Sequence, residues 1–427
     1  MKDLTYGMEG YEVSLLQYAL KRAGLDPGAL DGIFGRRTAK VLQQFQRERG
    51  LAADGIAGKL TWAAVYPFIT GYILHRILPG DTYHQLAHTY GTSVAAIHTA
   101  NPNLDPEVLP VKEEMVVPLD MLVVTAQIPY SGLLTCLILR GLTMRYPFLG
   151  YYEIGRSGMG RRIPAISIGR GKKQVGYNAA HHANEWITVP VLLRFAEEYA
   201  AAYAADRPIG GVKARELYET ATLHMVPLVN PDGVDLVAGA LDPSDSFYAQ
   251  AEALSSHYPD IPFPKGWKSN IFGVDLNLQY PAGWADARRI KFSRGYTRPG
   301  PRDYVGSEPL ITPENRAMAK WTEQHDFALT LSYHTQGRTI YWKYGNIEVS
   351  GAESIGEAMS RSSGYVLERT PYSSSYGGYR DWFIQRWHRP GYTIEAGIGE
   401  NPLDLSQFEK IYRENLPILI QGITLSF

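Results

Sequence analysis

Several apolar runs in the second half of the chain stop at reactive side chains. FALTLSYH ends at His334 and GYTIEAG carries Glu395 just past its last aliphatic residue. HMVPLVN runs into Asn230-Pro231-Asp232-Gly233, and AISIG leads through QVGYNAA into His181-His182-Ala183-Asn184-Glu185-Trp186. A buried strand that stops at a histidine or a carboxylate is a poor way to build a core. It is a good way to set ligands along one edge of a sheet. Helix-like stretches such as VPVLLRFAEEYAAAYA and TPENRAMAKWTEQH separate these runs. The alternation predicts an α/β fold with a mixed or parallel sheet covered by helices on both faces. At 427 residues the chain is too long for one core and should hold more than one domain.

Composition narrows the function. The net charge is -1 and there is no long basic run, which excludes nucleic acid as a partner. No apolar stretch reaches the length of a membrane span, so no membrane insertion is expected. The 29 Tyr and 8 Trp suit carbohydrate or peptide contact, although most should fill cores. A single cysteine excludes an internal disulfide, and Cys136, within LLTCLIL, reads as a small buried hydrophobe. The opening MKDLTYGMEG lacks the apolar core of a signal peptide. The chain is therefore expected to work in the cytoplasm, or at the cell wall if a leader has been removed.

The N-terminal segment contains an internal echo. DGIFGRRTAKVL from Asp31 is answered by DGIAGKLTWAAV from Asp54, and each Asp-Gly turn leads into a helical pattern. Leu16-Gln17, Phe45-Gln46 and both Asp-Gly turns make residues 1–70 resemble the helical peptidoglycan-binding domain. Residues 71–120 read as a strand, a Gly-Asp turn, two short helices and a closing strand. With Pro79-Gly80-Asp81-Thr82, Tyr90, Ile97, Asn101-Pro102 and Val117-Pro118, this segment resembles the LysM module, which binds N-acetylglucosamine-containing glycans. His84 and His88 share a helix face there, but no third ligand accompanies them. His75 and His98 likewise read as structural.

From about residue 121 to 427 the composition changes to that of one large α/β unit. The pair His182-x-x-Glu185 has a spacing that zinc accepts, yet two ligands do not make a site. The supporting motifs are Gly155 to Arg161 (G-R-S-x-x-G-R), His182 to Trp186, Asn230 to Gly233, Gly273 to Asn277 (GVDLN), Ser332 to His334, Gly377 to Trp382 (GGYRDW) and Thr393 to Gly397. Together and in this order they resemble the zinc carboxypeptidase family. The resemblance implies one zinc ion held by His182, Glu185 and His334, with the fourth position open to water, and His181 in a supporting place. It implies Glu395 as general base and Asp275 as the partner that orients the ring of His182. Lys268 stands where the family places the arginine that meets the oxyanion. Tyr372, or else Tyr376, is the loop tyrosine that closes over substrate.

Two departures bear on substrate. The family's exopeptidases grip a free C-terminal carboxylate with an arginine after the asparagine matched by Asn277; here Leu278 occupies that position. Without that fork the site loses its main reason to demand a chain end, so an endopeptidase is expected. In the family the residue just before the aspartate matched by Asp381 lines the specificity pocket, and the resemblance implies that Arg380 there attracts a side chain ending in a carboxylate. With two wall-binding modules, this pattern resembles an endopeptidase that cuts the γ-D-glutamyl–meso-diaminopimelate amide of stem peptides. Glycan strands and stem peptides of peptidoglycan are the implied partners, and wall recycling or sporulation the implied setting of an unexported form. One alternative is an exo-acting carboxypeptidase of the same fold using Arg288, Arg289, Arg294 or Arg298; the other is an inactive wall-binding protein. GRSGMG lacks the second glycine of a nucleophile elbow, and GRGKKQ lacks the hydroxyl of a phosphate loop.

Overall fold

A computed structural model describes residues 2–426. The chain divides into two compact units. One runs up to Ile128 and takes in Cys136–Gly150; the other holds Pro129–Thr135 and everything from Tyr151 on.

The first unit opens with three helices, Tyr11–Arg22, Arg36–Glu48 and Lys59–Thr70. The sequence echo reappears atom by atom. Gln17 Nε2 donates to Asp31 Oδ1 (3.0 Å) and to the Ile33 carbonyl (3.1 Å), while its Oε1 accepts from Gly32 N (2.9 Å). Gln46 repeats the set with Asp54 Oδ1 (2.9 Å), the Ile56 carbonyl (3.0 Å) and Gly55 N (3.0 Å). Gly32 and Gly55 have φ of 76° and 75°, a conformation that a side chain would strain. The unit continues with strand β1 (Tyr72–Arg76), helices Tyr83–Tyr90 and Val94–Ala100, and strand β2 (Glu114–Pro118), antiparallel to β1. This is the expected βααβ order. Thr82 and Ser93 cap the two helices by accepting from Gln85 N and Ala96 N. Tyr83, Leu86, Ile97, Met115 and Val117 form its core. His75 is held between Asp81 (2.8 Å) and Tyr90 (2.9 Å), a structural role. Cys136 is half-buried on the helix Gly132–Arg145, less enclosed than its apolar surroundings in the sequence imply.

The second unit is built on an eight-stranded sheet. Its strands are β3 (Gly150–Arg156), β4 (Arg162–Ile168), β5 (Lys173–Ala179), β8 (Ala221–Val226), β9 (Phe327–His334), β10 (Thr339–Tyr341), β11 (Val366–Glu368) and β12 (Gly391–Glu395); β6 (Pro208–Ile209) and β7 (Val212–Lys213) form a separate short hairpin. The order is β11-β10-β12-β9-β5-β8-β4-β3. The central strands β12, β9, β5 and β8 are mutually parallel, so their carboxyl ends emerge along one edge. β10 and β4 run antiparallel to β12 and β8, which makes the sheet mixed.

Side-chain alternation divides the two faces. Leu329, Leu331 and Tyr333 of β9 point one way and Thr330, Ser332 and His334 the other, while a bulge before Leu329 turns Phe327 onto the second face. Register aligns Ser332 with Thr393 and Asn178, and His334 with Glu395, so one face carries a polar column that ends at the sheet edge. The helix Tyr379–Trp387 packs over this face; a Cβ at Gly391 would lie 3.2 Å from Phe383. On the apolar face Tyr177 donates from its hydroxyl to the Leu419 carbonyl (2.7 Å) of the helix Phe408–Thr424.

Candidate active site

Three chain segments meet at the edge of the sheet. β5 ends at Ala179, the backbone turns, and a 3-10 turn at Ala183–Glu185 carries His182 and Glu185 to the same side. His182 Nδ1 lies 2.9 Å from Glu185 Oε1. His334, the last residue of β9, brings its Nδ1 to 2.8 Å from Glu185 Oε2 and 3.1 Å from His182 Nδ1. The ligand atoms of His182, Glu185 and His334 all lie within 4.8 Å of one another, and all three residues are buried. Among the described residues this is the one such group of three.

The donor set fits a divalent cation. His182 Nε2 faces Asp275 Oδ1 at 3.1 Å, which places the ring proton there and leaves Nδ1 as a bare lone pair aimed at the cluster. His334 Nε2 is buried with no protein partner, so Nδ1 is the nitrogen this ring presents. Two imidazole lone pairs and a carboxylate converging on one point match the ligand set of a three-residue zinc site.

The loops behind the ligands explain the remaining motifs. Asn230 Nδ2 donates to the carbonyls of His181 (3.0 Å) and Ser269 (3.1 Å), joining the ligand turn to the Lys268 segment. Asp232 accepts from Ser157 Oγ and Met159 N, both at 2.8 Å, and Glu314 accepts from Gly158 N (2.8 Å). The Gly155–Arg161 motif therefore anchors the Asn230–Gly233 corner. His181 is fully buried; its Nε2 pairs with Tyr280 OH (2.9 Å) and its ring stacks on His334.

Electrostatics separates the carboxylates. Burial, and after it the charge of Glu185, pushes the Glu395 carboxyl up to about 8. Burial opposes ionisation of Asp275, but the neighbouring His182 and Lys268 outweigh it and lower its pKa. Lys268 Nζ stands 3.4 Å from Glu185 Oε1. Burial pulls its pKa down, but the carboxylates of Glu185 and Asp275 pull it further up, so it stays charged.

Residues 137–418 match the family described as zinc carboxypeptidase, and residues 9–65 match the family described as putative peptidoglycan binding domain. The chain belongs to the zinc carboxypeptidase family. It is 43% identical to gamma-D-glutamyl-L-diamino acid endopeptidase 1 of Lysinibacillus sphaericus over 287 residues, spanning 67% of this chain and 70% of that protein. It is 39% identical to the protein YqgT of Bacillus subtilis over 280 residues, 65% of this chain and 73% of the relative. The fold is shared with carboxypeptidase A of Helicoverpa armigera at a TM-score of 0.54 and 17% identity, covering 97% of this chain and 94% of that one.

The zinc carboxypeptidase motifs find these surroundings. A cavity beside the ligands is lined by Lys268, Asn277, Leu278, Arg302, Arg380, Asp381, Thr393 and Glu395, among others. Asn277 uses its Oδ1 to accept from Tyr379 N (3.1 Å) at the start of the covering helix. Leu278 packs with Ala287, Val305 and Trp284. Arg380 is 4% exposed and paired through Nε and Nη2 with Asp381. Tyr376 packs against Tyr344 and the Leu278 cluster. Tyr372 is 61% exposed and outside the cavity wall, its hydroxyl accepting from Arg289 (3.0 Å). Arg288 covers Trp284 and Phe292, Arg289 holds Asp286 and Tyr372, and neither lines the cavity, nor do Arg294 and Arg298. The cation that sequence reasoning missed is Arg302. Its Pro-Arg-Asp-Tyr context carries no local signal, and only the fold brings it to the site.

Proposed function

We propose that this chain hydrolyses the γ-D-glutamyl–meso-diaminopimelate amide of peptidoglycan stem peptides. The observation that carries the reading is Leu278 buried in an apolar cluster at the place of the family's carboxylate clamp, with Arg380 in the same cavity. A relative at 43% identity is named for the γ-D-glutamyl-L-diamino acid bond, which supports it. The helical domain and the βααβ segment, read as peptidoglycan-binding and LysM modules, would hold the enzyme on glycan strands.

His182, Glu185 and His334 would hold the zinc ion. When bound, zinc acidifies water to a pKa of about 7 and polarises the scissile carbonyl. Glu395, opposite His334 in register, takes a proton from the attacking water and delivers it to the departing amine. Lys268 sets a positive charge beside the oxygen that becomes an oxyanion, and Asp275 keeps the His182 ring in one tautomer. Arg380 offers the diaminopimelate carboxylate a buried cation. Tyr372 swings from the cleft rim to close over bound substrate.

Digestion of defined muropeptides, read by mass spectrometry, tests this. The expected products separate between γ-D-Glu and diaminopimelate; release of a single C-terminal residue alone would identify an exopeptidase. Arg380→Ala should lower kcat/KM on diaminopimelate stems at least about tenfold more than on lysine stems, the scale of one charge-assisted contact. Equal losses on both would remove Arg380 from selection.

A further inference from the structure

The cleft does not end at the Arg380 cavity. A second lobe lies on the other side of Lys268 and Glu395, lined by Asn184, Asp260, Thr335, Gln336, Glu400 and Asn401. The two lobes share Lys268, Arg302, Tyr341 and Glu395. With Arg380 taking the diaminopimelate carboxylate as proposed above, a substrate lying across the site has its leaving amine toward Asn277 and Arg380 and its acyl part toward Asn184 and Asn401.

Arg302 sits at that junction by backbone pairing. Lys268 N and Ser269 N both donate to the Pro301 carbonyl (2.7 and 3.0 Å), which sets the next residue beside the Lys268 side chain. Arg302 is fixed through Nε on Asp303 Oδ2 (2.7 Å), and Asp303 is itself paired with Lys291. The terminal nitrogens of the Arg302 guanidinium take no protein partner among the described residues, and its side chain is 43% exposed. Arg380, by contrast, spends both Nε and Nη2 on Asp381. Arg302 is thus a held cation with a free two-nitrogen edge on the cleft it shares with Lys268 and Glu395.

The chemistry of a γ-glutamyl amide supplies the ligand for such an edge. When glutamate is joined through its side-chain carboxyl, its α-carboxylate stays free and lies on the acyl side, a few bonds from the carbonyl that is attacked. A stem whose D-glutamate carries an amide in place of that carboxylate has no anion there. Resting on the γ-glutamyl reading above, we propose that Arg302 receives the free α-carboxylate of the γ-linked D-glutamate and is the residue that selects this acidic acyl group over its amidated form. The guanidinium fork matches a carboxylate in a two-pronged way that an ammonium does not.

The test compares two synthetic stems, one with the D-glutamate α-carboxylate free and one with it converted to the amide. Wild-type enzyme should cut the first roughly 10- to 100-fold more efficiently, the scale of a charge-assisted pair. Arg302→Gln should lose that advantage mainly through KM, while its rate on the amide stem stays within a few-fold of wild type. Arg302→Lys, which keeps the charge on Asp303, should fall between the two on the carboxylate stem and match wild type on the amide. Unchanged zinc content and melting temperature would show that both variants are folded. Equal losses on the two stems, or a wild type indifferent to amidation, would overturn the assignment of Arg302. If wild type leaves the γ-D-Glu bond intact in both stems, the product masses show that the γ-glutamyl reading has failed, and this inference falls with it.

Discussion

Gln17, Gln46 and His334 are equally buried, each 1% exposed, yet their surroundings differ. Both glutamines of the helical repeat give Nε2 to an aspartate, a carbonyl and a threonine hydroxyl, and take a glycine N–H on Oε1. Around His334, by contrast, the buried polar atoms His334 Nε2, His181 Nδ1, Ser332 Oγ and both side-chain atoms of Asn178 have no protein partner. A buried group left unpaired costs about 1–3 kcal/mol. Folds keep such groups where chemistry needs them and close them off where cohesion is the aim. Polar burial in the repeat is cement; at the strand ends it is apparatus.

The largest effect expected from this contrast is at Glu395. Glu395→Gln should reduce kcat on the diaminopimelate stem by on the order of 10³-fold, the range of a lost general base. Melting temperature should hold or rise, because a buried carboxyl pushed up to about 8 gives way to a neutral amide. Parallel rate and thermal-melting measurements decide it. A variant that loses both activity and stability would show Glu395 to be cement after all.

The buried carboxylates behind the site form an intermediate case. Burial pushes Glu314 up to about 7, although Gly158 N–H donates to it, and burial pushes Asp235 up to about 6. The folded pKa of Glu314 lies above the unfolded value of 4.5, so its contribution to stability is fully present below about pH 4.5. It is lost as pH rises through about 7. The Glu314→Gln variant should therefore gain on wild type between pH 5 and 8, by at most about 3 kcal/mol for a shift of this size. Denaturant melts across that range measure it; a constant difference would mean that Glu314 keeps an ordinary pKa.

The same contrast explains how much could be read from the sequence. The metal-site candidates His182, Glu185 and His334, with Asp275 and Glu395 beside them, are legible because each sits where a strand or turn ends in a polar residue, and a strand's exit direction fixes where that residue goes. The alternation of FALTLSYH also recorded the polar face of β9, since Thr330 and Ser332 share it with His334. The edge strand β11 and its neighbour β10 are three residues each and too short for a period to show. Arg302 was out of reach for a different reason. Its position follows from the Pro301 carbonyl pairing with Lys268 and Ser269, a contact between loops that leaves no mark in either segment. Arg288 and Arg289 attracted notice by crowding after Leu278, but the helix Trp284–Ser293 turns them onto Trp284, Phe292, Asp286 and Tyr372.

The smallest effect belongs to the repeat and is the sharpest check on the comparison. Gln46→Leu keeps the side-chain volume but removes the contacts to Asp54, Ile56, Thr61 and Gly55. At roughly 1 kcal/mol per bond, offset by the added apolar burial, about 2 kcal/mol of stability should be lost. Gln17→Leu removes the matching contacts in the first repeat and should cost the same within error. Neither change should alter kcat on a soluble stem peptide, because no atom of the repeat enters the ligand set. A rate loss for either variant on a free stem would mean that polar burial in the repeat serves catalysis as well, and the division between the two regions would fail.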